Sequence, residues 1–333
     1  MHIAPALISR LACALFAACL SACTLAAGPD FSVQIGKPVI SRDIPSGSGM
    51  TPNSDGYYVV GDDSPYLFDI DRRFTVRTRT LLKDYPTRNG RIPPKLKPDF
   101  EAMANFRHEQ DNWLLIVGSG SKPGEREWGF LISEDLENRH MRSLAPLYRQ
   151  LREAGALSEQ QRLNIEGLAV AGQQVYFLNR GNSGPNLIFR AALDEVVAYM
   201  QGKREALSRI ERFDARLPAV SGFEATFSGA DYWPELDALV FTASVEARSD
   251  GYADGEVLGS FIGLLRLEQL RPGVTLDLAP HMLRLARKGR ALQTKAESLA
   301  ITSSDTRTVQ GALVSDNDDG SSVFFNFALS LKP

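Results

Sequence analysis

Four short segments of this chain set a glutamate between an apolar and a small residue. They are Phe100-Glu101-Ala102, Ile165-Glu166-Gly167, Phe223-Glu224-Ala225 and Ala296-Glu297-Ser298. A fifth, Gly47-Ser48-Gly49, carries a serine at the glutamate position. Successive steps are 53, 65, 58 and 73 residues, and recurrence on that scale marks a repeat architecture. If the units close around an axis, the four carboxylates converge on one narrow channel, where they cannot all ionise without compensation. Three solutions exist: a bound hard cation, shared protons, or hydrogen bonds from inner-strand amides and trapped water. Carboxylates supplemented by carbonyls and water suit Ca²⁺, which takes about six to eight oxygen ligands in flexible geometry. Glu101, Glu166, Glu224 and Glu297 are therefore the candidate metal set. The competing reading makes the same repeated positions structural, tying neighbouring units together through hydrogen bonds.

A second polar series follows each motif at a fixed place, in the turns Gly61-Asp62-Asp63-Ser64, Gly118-Ser119-Gly120-Ser121, Asn179-Arg180-Gly181-Asn182, Ser244-Val245-Glu246 and Asp316-Asn317-Asp318-Asp319. Asp62, Asp63, Ser119, Asn179, Arg180, Asn182, Glu246, Asp316, Asp318 and Asp319 form the expected ligand face. The last turn resembles a calcium loop but lacks the downstream glutamate of an EF-hand, and it also reads simply as an acidic turn in solvent. Ser119 and Ser121 read as turn residues rather than nucleophiles. No Gly-x-Ser-x-Gly elbow, Walker loop or His-Glu-x-x-His occurs. His108, His140 and His281 each fall in a different unit, so no histidine cluster favours zinc. Trp113, Trp128 and Trp233 offer either a sugar platform or packing between units.

The elements that must position these residues are short strands. After each motif comes a β-rich run (57–63, 113–120, 175–182, 239–246, 312–319), a polar turn, and another strand (66–71, 129–133, 186–190, 260–267, 322–329). Fourth strands are expected at 74–82, 143–148 and 208–213. Units of about four strands separated by turn residues are the pattern of an all-β propeller. The 36 residues after Glu297 are too few for a further unit; with the 17 of segment 31–47 they make 53, the shortest repeat interval. Residues 31–40 are thus expected to supply the outer strand of the last blade and close the ring, and the count favours five blades over six. Segments 144–154 and 191–210 have apolar residues at helical spacing and read as short helices inserted at blade edges. In a propeller, the start of each inner strand and the turn after the second strand share one face, so both polar series should meet at one mouth of the channel.

The recurring Glu-Gly/Ala-Leu/Met motif resembles that of the phytase-like β-propellers and the related SdiA-regulated family of bacterial envelope proteins. The resemblance covers the mature chain as a repeat pattern rather than as close sequence identity. It implies calcium held by Glu101, Glu166, Glu224 and Glu297, and a calcium-dependent phosphoesterase as an alternative to a non-catalytic binding module. This chain departs from the family at Ser48, keeps the Glu-Gly pair only at Glu166-Gly167, and has no alignable set of basic residues for holding phosphates. Arg180 is the single basic residue in the five short turns, with Lys122 and Arg126 extending the second.

The amino terminus carries an address. Arg10 precedes an apolar run over 11–20, too short to span a bilayer but suited to an export signal. It ends in Leu20-Ser21-Ala22-Cys23, similar to the bacterial lipobox, in which the cysteine becomes the lipidated first residue. Cleavage after Ala27 is the alternative. The expected organisation is a signal peptide over 1–22, a tether over 23–30 and one propeller over 31–333, anchored in the envelope at the outer membrane and facing the periplasm. All three cysteines, Cys13, Cys19 and Cys23, lie in this leader, which leaves no disulfide framework or cysteine-zinc site downstream. The chain has 37 basic against 40 acidic residues, a poor match for nucleic acid. The expected partner is a small molecule or protein at the channel mouth, with the propeller a monomer and the membrane met only through the lipid.

Overall fold

Each repeat unit folds as an antiparallel four-stranded sheet in the computed structural model, which describes residues 29–247, 255–316 and 320–333. From the inside outward, the first blade runs Gly47–Asn53, Gly56–Gly61, Tyr66–Asp71, Val76–Leu81. The second runs Phe100–His108, Asp111–Gly118, Trp128–Ser133, Arg139–Ser143, and the third Ile165–Ala171, Gln174–Asn179, Asn186–Ala192, Glu211–Arg216. The fourth comprises Thr226–Trp233, Ala238–Ala247, Glu256–Arg266 and Met282–Arg284; the fifth Lys295–Ser304, Thr308–Asp316, Ser322–Leu331 and, from the other end of the chain, Phe31–Ile35. Inner strands neighbour one another in cyclic order, the fifth against the first. This is a five-bladed β-propeller.

Closure is as the residue count requires. Phe31–Ile35 pairs antiparallel with Leu331–Phe327, and Gly36 donates its N–H to Asn326 O at 2.8 Å. After a break at Lys37-Pro38, Val39–Ser41 resumes pairing with Phe324–Ser322. One apolar cluster fills each of the five gaps between blades, for example Leu115 and Ala102 against Leu168 and Phe177, or Ala312 and Phe324 against Met50 and Val59. Strands buried on both sides explain why their sequences are apolar runs with little alternation.

Two helices enter the gap between the second and third blades. Helix α1 (Ala145–Ala154) buries Leu147, Tyr148 and Leu151 there, and α2 (Leu193–Met200) buries Val196, Val197 and Tyr199. The second is far shorter than the 191–210 expected from spacing: Gly202 turns left-handed at φ 75° directly after it, which breaks the helical path. The expected fourth strands shift too. That of the second blade lies at Arg139–Ser143 with α1 following, and that of the third at Glu211–Arg216. No helix among the described residues is long and apolar enough to cross a membrane. The expected leader with Cys13, Cys19 and Cys23 lies outside the described residues, as do Asn317, Asp318 and Asp319.

Candidate functional site: the channel mouth

Every inner strand begins with a β-bulge, and the repeated polar residue occupies it. Pairing with the second strand slips at Ser48, Glu101, Glu166 and Glu297. In the fourth blade the slip falls between Phe227 and Ala230, so the residue at this position is Ser228, not Glu224. With Ser228 in register, the third and fourth repeat intervals become 62 and 69 residues instead of 58 and 73. Glu224 lies exposed on a small hairpin (Ala219–Val220 with Phe223–Glu224), its Oε1 accepting the Leu217 N–H at 2.9 Å. It is not one of the channel carboxylates. Its four-residue offset was hidden because Phe223-Glu224-Ala225 imitates the motif better than Phe227-Ser228-Gly229 does.

The small residue after the bulge has a steric reason. A Cβ on Gly167 would stand 2.3 Å from Ser228 O, and one on Gly229 would stand 2.5 Å from Ser298 Cα. Each bulge leans on the next inner strand, and only a minimal side chain fits. Side chains from the third strand of one blade clamp the following bulge. Asn186 Oδ1 accepts Phe227 N–H while its amide donates to Ala225 O; Ser260 Oγ accepts Ala296 N–H and donates to Thr294 O; Ser322 Oγ accepts Gly47 N–H and donates to Ile44 O. The first two junctions use backbone instead, Asp99 N–H to Asp62 O and Ile165 N–H to Ser119 O.

Both polar series meet at this face. Arg180, buried to 6 % exposure, donates from Nη1 to Glu166 Oε1 at 3.1 Å, from Nη2 to Glu246 Oε1 at 2.5 Å and from Nε to Thr226 Oγ1 at 3.2 Å. Asn164 Nδ2 donates to Glu166 Oε1 at 2.6 Å, and Asn179 Oδ1 accepts Asn164 N–H at 2.8 Å. Lys295 Nζ lies 2.8 Å from Glu297 Oε1 and 3.6 Å from Glu246 Oε1. Across the channel, Lys97 bridges Asp62 and Asp99, the latter at 2.9 Å. Asp99 also accepts from Arg126 Nη1 at 2.7 Å, from Ser121 at 3.2 Å and from Ser119. Arg91 pairs with Asp63 and reaches Ser46 Oγ at 3.1 Å.

These contacts supply a fourth solution to the carboxylate problem, beyond metal, shared protons and amide donors: the chain brings its own cations. Six carboxylates, Asp62, Asp63, Asp99, Glu166, Glu246 and Glu297, each touch one or more of Arg91, Lys97, Arg126, Arg180 and Lys295. Glu101 differs. Among the described residues no hydrogen bond reaches its carboxyl, and it remains partly exposed. Burial, then the charges of Glu166 and Asp99, push its pKa well above the ordinary carboxylate range. Burial likewise raises Glu297 to about 7 against the opposing pull of Lys295, and Asp62 to about 6 against Lys97. At Asp99 the burial penalty is outweighed by Lys97, Arg126 and Ser119, and its pKa falls. Lys97, Arg180 and Lys295 lose to burial but gain more from the surrounding carboxylates, so all three are held protonated.

Glu101, Glu166 and Glu297 thus share the channel electrostatically, while Glu166 and Glu297 are committed to Arg180 and Lys295. Among the described residues one grouping of metal-ligand type is present: oxygens of Asp62, Asp99 and Glu101 lie within 4.8 Å of one another, with the Lys97 ammonium already set between the two aspartates. Of the other expected ligand-face residues, Asn182 follows Arg180 in the third turn, and Asp316 ends the second strand of the fifth blade. Sequence reasoning missed Lys97, Asp99 and Lys295. A periodic signal for two of them existed: two residues before each bulge stands a polar residue, Ser46, Asp99, Asn164, Thr226 and Lys295, and each one joins the mouth network. The tryptophans are packed or covered: Trp233 is fully buried with Nε1 donating to Asp305 O at 2.7 Å, Trp113 is 7 % exposed, and Lys83 lies over the Trp128 ring.

Comparison with known proteins adds the family. No curated protein matches the chain. Among solved structures, Myxococcus xanthus glutaminyl cyclase aligns over 90 % of this chain and 97 % of its own, with 9 % identity and a TM-score of 0.47. The Bacillus subtilis arabinanase Arb43A aligns over 87 % and 96 %, with 11 % identity and a TM-score of 0.41. A Bacteroides vulgatus member of the DUF4221 family aligns over 87 % and 80 %, with 10 % identity and a TM-score of 0.33. Likeness of this degree bears on nothing this chain does. Residues 43–329, reaching from just before the first bulge into the third strand of the fifth blade, match a family of unknown function, and it is to this family that the chain belongs: DUF6929.

Proposed function

We propose that the protein is a non-catalytic binding module of the bacterial envelope, whose ligand is received at the channel mouth beside Glu101. The observation that carries this is the contrast within the mouth: six carboxylates each touch one or more of the chain's own five cations, and Glu101, partly exposed, is left to an incoming group. A ligand offering hydrogen-bond donors or a positive charge suits it. The basic residues do not suit a phosphate, since Lys97, Arg126, Arg180 and Lys295 already serve carboxylates and would have to give them up.

The proposed anchor agrees with this placement. Phe31 pairs with Leu331, at the end of the blade opposite the mouth. A lipid on Cys23, eight residues upstream, would hold the mouth away from the membrane. Calcium, if bound, belongs at Asp62, Asp99 and Glu101, and must displace the Lys97 ammonium or share its position.

A calcium titration of thermal stability run beside a phosphomonoester assay tests the reading. The expected result is no turnover, and at most a calcium effect that Glu101→Gln removes. Calcium-dependent turnover lost in Glu101→Gln would replace the binding module with a calcium-dependent phosphoesterase. Replacing Cys23 with Ala should release the protein from the membrane fraction; retention there would overturn the lipid anchor.

A further inference from the structure

At the opposite end of the ring, a slot opens between the first and second blades that neither the repeat nor the channel accounts for. It holds a cavity of about 190 Å³ lined by Tyr58 on the first blade and by Asn105, Arg107, Asn112, Leu114 and Glu134 on the second. That volume equals about six waters at roughly 30 Å³ each. It is the size of one small metabolite, too little for an oligosaccharide or a folded peptide segment. The slot is rigidly built. Asn105 is fixed by Thr51, which donates to its Oδ1 at 3.1 Å and accepts its backbone N–H at 3.1 Å, while its amide donates to Pro52 O at 2.8 Å. Glu134 Oε2 accepts from Asn112 Nδ2 at 2.7 Å.

Two opposite charges line this one cavity without meeting each other. Among the described residues the Arg107 guanidinium has no acceptor and the Tyr58 hydroxyl no partner, and the Glu134 carboxylate has only a neutral amide. Burial, then the charges of Asp69 and Glu134, raise the Tyr58 pKa against the opposing pull of Arg77, so the hydroxyl keeps its proton. An ammonium is favoured between a carboxylate and the face of a tyrosine ring. A carboxylate is favoured by a free guanidinium, whose fork matches its two oxygens. Leu114, at the cavity wall and 1 % exposed, offers apolar contact.

We infer that this slot binds a small zwitterion, a free α-amino acid with a short aliphatic side chain, its ammonium at Glu134 and Tyr58 and its carboxylate at Arg107. The site is separate from the channel mouth and stands or falls independently of the function proposed there. The test is isothermal titration calorimetry of the full protein with L-alanine, L-valine and L-leucine. Valinamide, N-acetylvaline and D-glucose serve as probes lacking one charge or both. Saturable binding of an amino acid is expected, weakened at least tenfold by removing either ligand charge and at least tenfold in Arg107→Gln and in Glu134→Gln. Arg107 is exposed and Glu134 partly so, and unchanged urea unfolding of both variants confirms that the loss is local. Absence of saturable binding by all three amino acids overturns the inference. So does binding that survives both substitutions, or glucose binding with the same sensitivity to them.

Discussion

Removing the charge of Arg180 tests whether the channel is held by the chain's own cations. In Arg180→Met, Glu166 and Glu246 keep their carboxylates but lose the guanidinium contacts at 3.1 and 2.5 Å, at a residue 6 % exposed. Breaking a buried ion pair by deleting one partner costs about 3–5 kcal/mol, because the remaining charge stays desolvated. At about 2–4 °C per kcal/mol for a large single domain, the melting temperature should fall by roughly 10 °C. Urea unfolding followed by fluorescence of Trp113, Trp128 and Trp233 reads the loss directly. Arg77→Met is the control: its pairs with Asp55 and Asp69 are surface contacts, worth at most about 1 kcal/mol. A pH series sharpens the outcome. In the variant, loss of the guanidinium lets burial raise the folded pKa values of the carboxylates it served, so the native state binds more protons and stability falls as pH rises through that interval. The deficit relative to the unsubstituted protein should therefore be smaller at pH 5 than at pH 8. Adding Glu166→Gln and Glu246→Gln should recover most of it. A loss under about 1 kcal/mol, or one indifferent to pH, would refute internal charge compensation and return the channel to a bound cation.

Three further outcomes are expected. Glu297 and Asp62 have folded pKa values raised to about 7 and about 6, so the native protein binds extra protons between their unfolded and folded values; melting temperature should decline from pH 5 to pH 8, less steeply in Glu297→Gln, and a rise over that range would contradict the burial argument. Glu101→Gln removes a carboxyl whose ionisation is opposed by burial, Glu166 and Asp99 and should stabilise the chelator-treated protein at high pH by about 1 kcal/mol; destabilisation would show that Glu101 has a partner supplied from outside. Gly229→Ala puts a Cβ 2.5 Å from Ser298 Cα and should cost about 1–3 kcal/mol by overpacking, whereas a neutral result in urea unfolding would mean the fourth and fifth inner strands can part.

The sequence carried the propeller because its period is imposed by sterics as well as by burial. The small residue after each bulge must be small wherever the next inner strand presses on it, as at Gly167 and Gly229, and that constraint survives while the bulge residue itself drifts from Glu to Ser. The same drift misled the fourth copy. Glu224 satisfies the pattern apolar-Glu-small, yet strand pairing begins only at Thr226, and hydrogen-bond register is not written in residue type. Ring closure was legible because residue count and chain ends do not depend on side chains. The pairing of cations with carboxylates was not, because Lys97, Arg126 and Lys295 come from three different segments, and only the fold shows which carboxylates they meet. Periodicity identifies what repeats. Compensation in this channel is made by residues that occur once.

That asymmetry separates two sides of the mouth. On the side of the third, fourth and fifth blades, Asn186, Ser260 and Ser322 clamp the bulges, and Arg180 and Lys295 lie among Glu166, Glu246 and Glu297 with all five side chains 15 % exposed or less. Such a network fixes the ring and leaves its charged side chains little exposed. On the side of the first and second blades, the junctions use backbone hydrogen bonds, Asp62 and Lys97 keep 17 and 20 % of their side-chain surface, and Glu101 faces the opening without a hydrogen bond among the described residues. The sealed side contributes rigidity and the open side contributes contact, so a ligand at this mouth should meet Asp62, Lys97 and Glu101 while sensing Arg180 only through the field. Substitutions at Asp62 or Lys97 should then alter binding beyond whatever stability they cost, whereas Arg180→Met should cost stability and leave binding nearly intact. Ligand affinity that tracked global stability across all three positions would mean the mouth is one cooperative unit and the division is false.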